Sequence, residues 1–154
     1  MTIFLSEAED AKTVRIVAAL ILDKAGRTLL VRKKGTRAFM QPGGKPAVGE
    51  ANLSALDREL TEELGCGLDR GSCRSLGIYR APAANEPGWT VEAELYAASL
   101  LGKARPSGEI EETIWIDPET DAGVELAPLT AMYVLPLARR LGQPPSAPER
   151  WTAR

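Results

Sequence analysis

The chain has 154 residues, enough for one domain whose core needs neither a disulfide framework nor a structural metal. Apolar residues make up 44% and charged residues 26%, and 19 basic against 21 acidic side chains leave a net charge of -2, which gives no footprint for nucleic acid or an anionic membrane as partner. There is no histidine, so Ser-His-Asp and Cys-His nucleophiles, a His-ligated zinc and a His general base are all excluded.

The opening MTIFLSEAED has neither the basic region nor the long apolar run of a signal peptide. No stretch approaches the roughly 18 apolar residues of a membrane span. A cytoplasmic location is the expectation. Ile3-Phe4-Leu5 suits an added strand or a dimer contact, so a homodimer stays open. Residues 13–22 are β-branched and apolar enough for a central strand, and residues 27–32 read as its hairpin partner across the turn at Asp23-Lys24-Ala25-Gly26. Residues 33–37 form a basic loop, and Pro42-Gly43-Gly44-Lys45-Pro46 excludes both regular helix and central strand.

The clearest helix follows. Asn52 or Ser54 serves as its cap, Leu53, Leu56, Leu60 and Leu64 form one apolar stripe, and Gly65 ends it. Strands are expected at residues 75–80, 90–99 and 113–116, with a turn-rich insert at residues 81–88. In the second of these, Val91, Ala93, Leu95 and Ala97 alternate as one buried face. A helix over residues 129–141 is interrupted at Pro136, and residues 142–154 are a Pro-rich, polar tail. Cys66 and Cys73 read as two reduced thiols. The interleaving of strands and helices predicts an α+β domain over residues 1–141, a mixed sheet packed between helices.

Glu59, Glu62 and Glu63 fall within an arc of roughly 100° on the helix, beside the leucine stripe. Like charges at i, i+3 and i, i+4 disfavour a helix by about 0.2–0.5 kcal/mol per pair. The macrodipole disfavours them again in the C-terminal half. A divalent cation removes both penalties, whereas the bland reading is a solvated acidic face with Arg58 paired to Glu62.

The spacing weighs against the bland reading. Gly44, Glu50, Arg58-Glu59-Leu60, Glu62-Glu63 and Gly65-Cys66 follow one another at intervals of five, seven, one and one intervening residues. This resembles the Nudix box, the signature of the Nudix hydrolases, with every fixed Gly, Glu and Arg position met. Cys66 departs from it, standing where the family usually carries Ile, Leu or Val. Pro42-Gly43 and Lys45 extend the likeness toward MutT-type members.

The resemblance implies an α/β/α sandwich and Mg²⁺-dependent (or Mn²⁺-dependent) hydrolysis of a nucleoside diphosphate linked to a further group. It implies Glu59, Glu62 and Glu63 as metal ligands, Arg58 and Glu50 as structural members of the motif, and Gly43 and Gly44 as points of close backbone approach. The general base varies within the family; Glu59 is one candidate, and Glu109, Glu111 and Glu112 are distal ones. Glu109 matches MutT-like members best, six residues before Trp115. Arg37, Lys33 and Lys34 are candidates to meet a phosphate, and Phe39 to stack on a base, against surface-loop and core readings. A (d)NTP is the favoured small-molecule substrate, with ADP-ribose, a nucleotide sugar or a dinucleotide as alternative. Pro82 lies near, though shifted from, the proline of ADP-ribose pyrophosphatases. A non-catalytic nucleotide-sensing module is the alternative of another class.

Overall fold

The computed structural model describes residues 12–120 and 122–142. Ile3-Phe4-Leu5 and the Pro-rich tail beyond Gly142 lie outside the described residues. Strand β1 (Thr13–Leu20) is the centre of the molecule. It pairs in parallel with β5 (Thr90–Leu100) and antiparallel with the two-residue edge strand β3 (Gly43–Gly44). Strand β4 (Leu68–Pro82) adds antiparallel to β5, giving the mixed order β3-β1-β5-β4. Helix α1 (Asn52–Leu64) lies on one face. A π-helical turn (Thr130–Val134) leading into helix α2 (Leu135–Leu141) lies on the other.

The apolar run of β1 is explained by this sandwich, because a strand covered on both faces loses the usual apolar–polar alternation. Val17 and Ala19 pack with Ala55, Leu56, Leu60 and Leu64 of α1, while Ala18 and Leu20 pack with Leu129, Val134, Leu137 and Ala138. Strand β5 behaves likewise: Ala93 and Leu95 face the C-terminal helix as the alternation predicts, and Tyr96 and Ala98 are buried under α1 as well.

The hairpin expectation for β1 and β2 (Thr28–Lys33) holds only at the turn. There Leu22 and Thr28 form an antiparallel bridge, flanked by the Leu29 N–H to Ile21 carbonyl and Asp23 N–H to Arg27 carbonyl bonds. Beyond that turn β2 leaves the sheet and pairs antiparallel with β6 (Ile110–Ile116) in a separate ribbon. The edge of β1 that a hairpin partner would occupy belongs instead to β3, so the Gly-rich loop stands directly against the central strand.

The capping expectation is also corrected. Ala51 occupies the N-cap and makes no side-chain capping bond. Asn52 is already helical and donates to Glu94 Oε1 at 2.9 Å, fastening the helix to β5. Ser54 Oγ instead meets Arg70 Nη1 at 3.5 Å. Gly65 does end the helix, at φ 70°, with its N–H on the Thr61 carbonyl. At the other helix Leu135 N–H reaches back five residues to the Thr130 carbonyl, and Pro136 has no N–H to give, so the break falls where proline demands it.

Leu56, Leu60 and Leu64 are fully buried. Leu60→Ala is expected to lower stability by about 2–5 kcal/mol, read as a shift in urea midpoint at unchanged m-value.

Candidate active site

Arg58 organises the acidic face of α1. Its Nε and Nη2 donate to the two Glu50 carboxylate oxygens, each at 2.9 Å, in a bidentate pair. Nη2 also reaches the Lys45 carbonyl at 3.1 Å, and Nη1 donates to Glu59 Oε1 at 3.0 Å and Glu62 Oε1 at 3.5 Å. Glu50 further accepts the Ala47 N–H at 2.8 Å. The Arg58 guanidinium, helped by that N–H, pulls the Glu50 carboxyl down to about 2. Glu50 in turn raises the basicity of Arg58. One guanidinium thus joins the loop after β3 to the helix.

The glycines carry the other half of the junction. A Cβ on Gly44 would collide with the Glu59 carboxylate, and one on Gly43 would collide with the Val17 carbonyl and Ala18. Gly43 needs glycine because it lies against the β1 backbone, whereas a side chain at Gly44 would displace the Glu59 carboxylate.

Glu63 differs from its neighbours. It lies about 20° from Leu56 around the helix, at the border of the apolar stripe. It is only 8% exposed, and its Oε1 accepts the Gly43 N–H at 3.1 Å. Burial pushes its carboxyl up to about 7, and the nearby Glu59 and Glu62 push the same way against the pull of Gly43 N–H and Lys33.

The C-terminal end of α1 places the distal glutamate. Arg105 N–H caps the Leu64 carbonyl at 2.9 Å and Ser107 N–H caps that of Glu63 at 3.0 Å, satisfying helix-end acceptors. Gly108, at φ 57°, lets the chain turn against the Glu62 carbonyl. Lys34 N–H then holds the Glu109 carbonyl at 2.8 Å. Glu109 and the three box glutamates therefore line one cavity of about 640 Å³. Glu111 and Glu112 do not line it; Glu112 pairs with Arg32 at 3.3 Å on the β2–β6 ribbon.

The expected ligand contacts at Phe39 and Arg37 are not brought to this cavity. Phe39 is 5% exposed and packs with Leu30, Ile116 and Leu135, because its strand-like segment bridges to Leu126 and turns the ring into the core. Arg37 extends into solvent and approaches Glu125 at 3.7 Å. Both border a separate, shallow depression. Lys33, Lys45 and Gln41 are on the cavity wall instead. The sequence offered Lys33 as one of several loop cations; Gln41 and Gly108 were not singled out, since only the fold turns them toward the carboxylates.

Among the described residues no three acidic side chains already stand around one point as a metal-binding group. Glu59 is engaged by Arg58, Glu63 by Gly43, and Glu62 extends into solvent. The donors nevertheless fit a hard divalent cation by chemistry and position: all are carboxylate oxygens on one wall. That wall carries Glu59, Glu62, Glu63, Glu86 and Glu109 against Lys33 and Lys45, an excess of acidic over basic groups.

In metal-free protein the raised Glu63 carboxyl has a definite pH signature. Its folded value of about 7 exceeds the ordinary carboxyl value of about 4.5, so ionisation opposes folding. The penalty is absent below about 4.5, grows through the interval to about 7 and is complete above it. Glu63→Gln keeps the Gly43 acceptor and is expected to be more stable than wild type at pH 8, by about 3 kcal/mol at most. The gap in urea midpoints, measured with chelator present, should close toward pH 4.5; equal stability at pH 8 would contradict it.

The NUDIX domain family model matches residues 12–145 of this chain. A MutT NUDIX hydrolase from Burkholderia pseudomallei is 25% identical with a TM-score of 0.65, the match covering 83% of this chain and 96% of that one. The MutT protein of Methanosarcina mazei Go1, 23% identical with a TM-score of 0.66 over 86% of this chain and 96% of that one, shares the fold. An isopentenyl-diphosphate Delta-isomerase of Mycolicibacterium vanbaalenii is 32% identical over 106 residues, which are 62% of this chain. That alignment spans 58% of the isomerase, little more than half its length.

Proposed function

This chain belongs to the Nudix family, and from that premise we propose that it is a Mg²⁺-dependent pyrophosphohydrolase that cleaves a phosphoanhydride bond of a nucleoside diphosphate linked to a further group. The favoured substrate is a (d)NTP, cleaved with one water to (d)NMP and pyrophosphate. The observation that carries this reading is the gathering of Glu59, Glu62, Glu63 and Glu109 with Lys33 around one cavity. A polyanion entering such an acidic wall requires a cation between them, and three carboxylates on one helix are suited to hold it.

Glu59, Glu62 and Glu63 are the proposed ligands, with Mn²⁺ as a substitute ion. When bound, the ion supplies charge neutralisation on phosphate oxygens and a more acidic water. The chain's own residues do the rest. Arg58, locked on Glu50, holds Glu59 against Gly44 and keeps the carboxylates on the cavity side of the helix. Gly43 N–H orients Glu63. Glu59 Oε1 is occupied by Arg58 and Glu59 is a proposed ligand, so the general base is assigned to Glu109 on the same cavity. Lys33 balances charge on the substrate's phosphates.

The cavity's other part is apolar, lined by Val14, Ile16, Val91 and Leu129, which suits the heterocyclic end of a nucleotide. Pro82 also lines it, and this favours ADP-ribose, a nucleotide sugar or a dinucleotide as the second reading. The 32% identical relative, named for isopentenyl diphosphate, is compatible with a diphosphate as the group common to the ligands. The same reading takes residues 1–141 as one domain and residues 142–154 as its tail. It places the protein in the cytoplasm without nucleic acid or membrane as partner, and keeps a homodimer as an option. Among the described residues no helix is long and apolar enough to cross a membrane.

The test is phosphate and pyrophosphate release from (d)NTPs, ADP-ribose, nucleotide sugars and dinucleotides, with Mg²⁺ or Mn²⁺ and with chelator. Wild type is expected to turn over one class only when the metal is present. Glu63→Gln should lower that turnover at least about a hundredfold while remaining folded. Near-normal turnover in the variant would remove the mechanism, and saturable nucleotide binding without product release would identify a sensing module.

A further inference from the structure

Gln41 is 5% exposed and Thr130 is fully buried. Thr130 Oγ1 donates to Gln41 Oε1 at 2.7 Å across 89 residues of sequence. A side-chain amide has one accepting and one donating end. With Oε1 held by the threonine, Nε2 is the end left to present. It has no hydrogen-bond partner among the described residues, yet it is not among their enclosed, unsatisfied polar atoms, and Gln41 lines the cavity. Thr130 directly follows Leu129 of the apolar part of the wall, and its bond to Gln41 ties the amide to that segment. A donor on the cavity wall with no protein partner is left to a ligand or to water.

We propose that Gln41, polarised by Thr130, is the residue that reads the ligand's heterocycle: Nε2 donates a hydrogen bond to a carbonyl oxygen on the base and disfavours a base presenting an amino group there. Gln41 is a binding and specificity residue, and Thr130 positions it by donating to Oε1, which leaves Nε2 as the end without a protein partner. Without the Thr130 hydroxyl Oε1 loses that donor and the amide is held less firmly, so the preference relaxes although the glutamine remains. This inference rests on the nucleotide reading above.

The experiment compares kcat/KM within two pairs of (d)NTPs, 6-oxo against 6-amino purine and 4-oxo against 4-amino pyrimidine. Wild type is expected to favour the oxo member of at least one pair by about tenfold, the size of one hydrogen-bond difference. Gln41→Leu should bring that ratio close to one, chiefly through a higher KM for the oxo substrate. Thr130→Val should relax the ratio and Thr130→Ser should retain it. Urea midpoints measured in parallel separate loss of packing, which lowers both members of a pair alike, from loss of reading. If wild type hydrolyses nucleotides but shows no oxo preference, or Gln41→Leu leaves the ratio unchanged, the inference fails alone. If wild type hydrolyses no nucleotide, the reading of the function fails and takes the inference with it.

Discussion

The structure of the site depends on one guanidinium. Arg58 is the point at which the loop after β3, the N-terminal approach to α1 and the acidic face of α1 are joined. Its bidentate bond to Glu50 is the strong, geometrically specific kind, and it leaves one nitrogen to hold Glu59. Three glutamates on a helix repel one another and the helix dipole; the arginine beside them limits that cost and leaves the cavity-facing charge in place. The loop's close approach to β1 makes glycine obligatory at Gly43, and a side chain at Gly44 would push the Glu59 carboxylate from its place.

Within this acidic group the three carboxylates are not equivalent. Glu59 is tightly paired with Arg58, Glu62 is exposed with a longer contact to the same guanidinium, and Glu63 is buried against a single backbone N–H. A carboxyl raised to about 7 marks the place where burial and like charge act together, the combination that typifies working sites. The apolar sandwich supplies the rigidity: α1 is seated by Ala55, Leu56, Leu60 and Leu64 on the central strand, so its polar side is presented at a fixed angle.

The reading of residues and the folded chain part company where one side chain had two reasonable uses. Asn52 has the chemistry of a cap and is spent on Glu94 instead. Phe39 has the chemistry of a base-stacking ring and is spent on the core. Arg37 precedes the Gly-rich loop in sequence but points away from the cavity, whereas Lys33, four residues earlier, faces it. The β1–β2 hairpin was plausible from a short turn between two apolar strands, yet the Gly-rich loop competes for the same edge of β1 and holds it.

The helix of the site, its glycine stop, the cluster of glutamates on one side of the leucines and the family to which that spacing belongs are all legible in the order of residues alone. These are local properties: 3.6-residue periodicity, left-handed glycine and fixed intervals are written in neighbouring residues. The packed fold alone sets which edge β1 offers to which partner, that Glu63 is the buried carboxylate, and that Gln41 meets Thr130 across 89 residues, and it brings Glu109, favoured on sequence, to the cavity. Each of these depends on contacts between segments far apart in the chain, where the competition for one sheet edge or one helix end is settled by packing and by the pairing of buried polar groups, not by the propensity of any single residue.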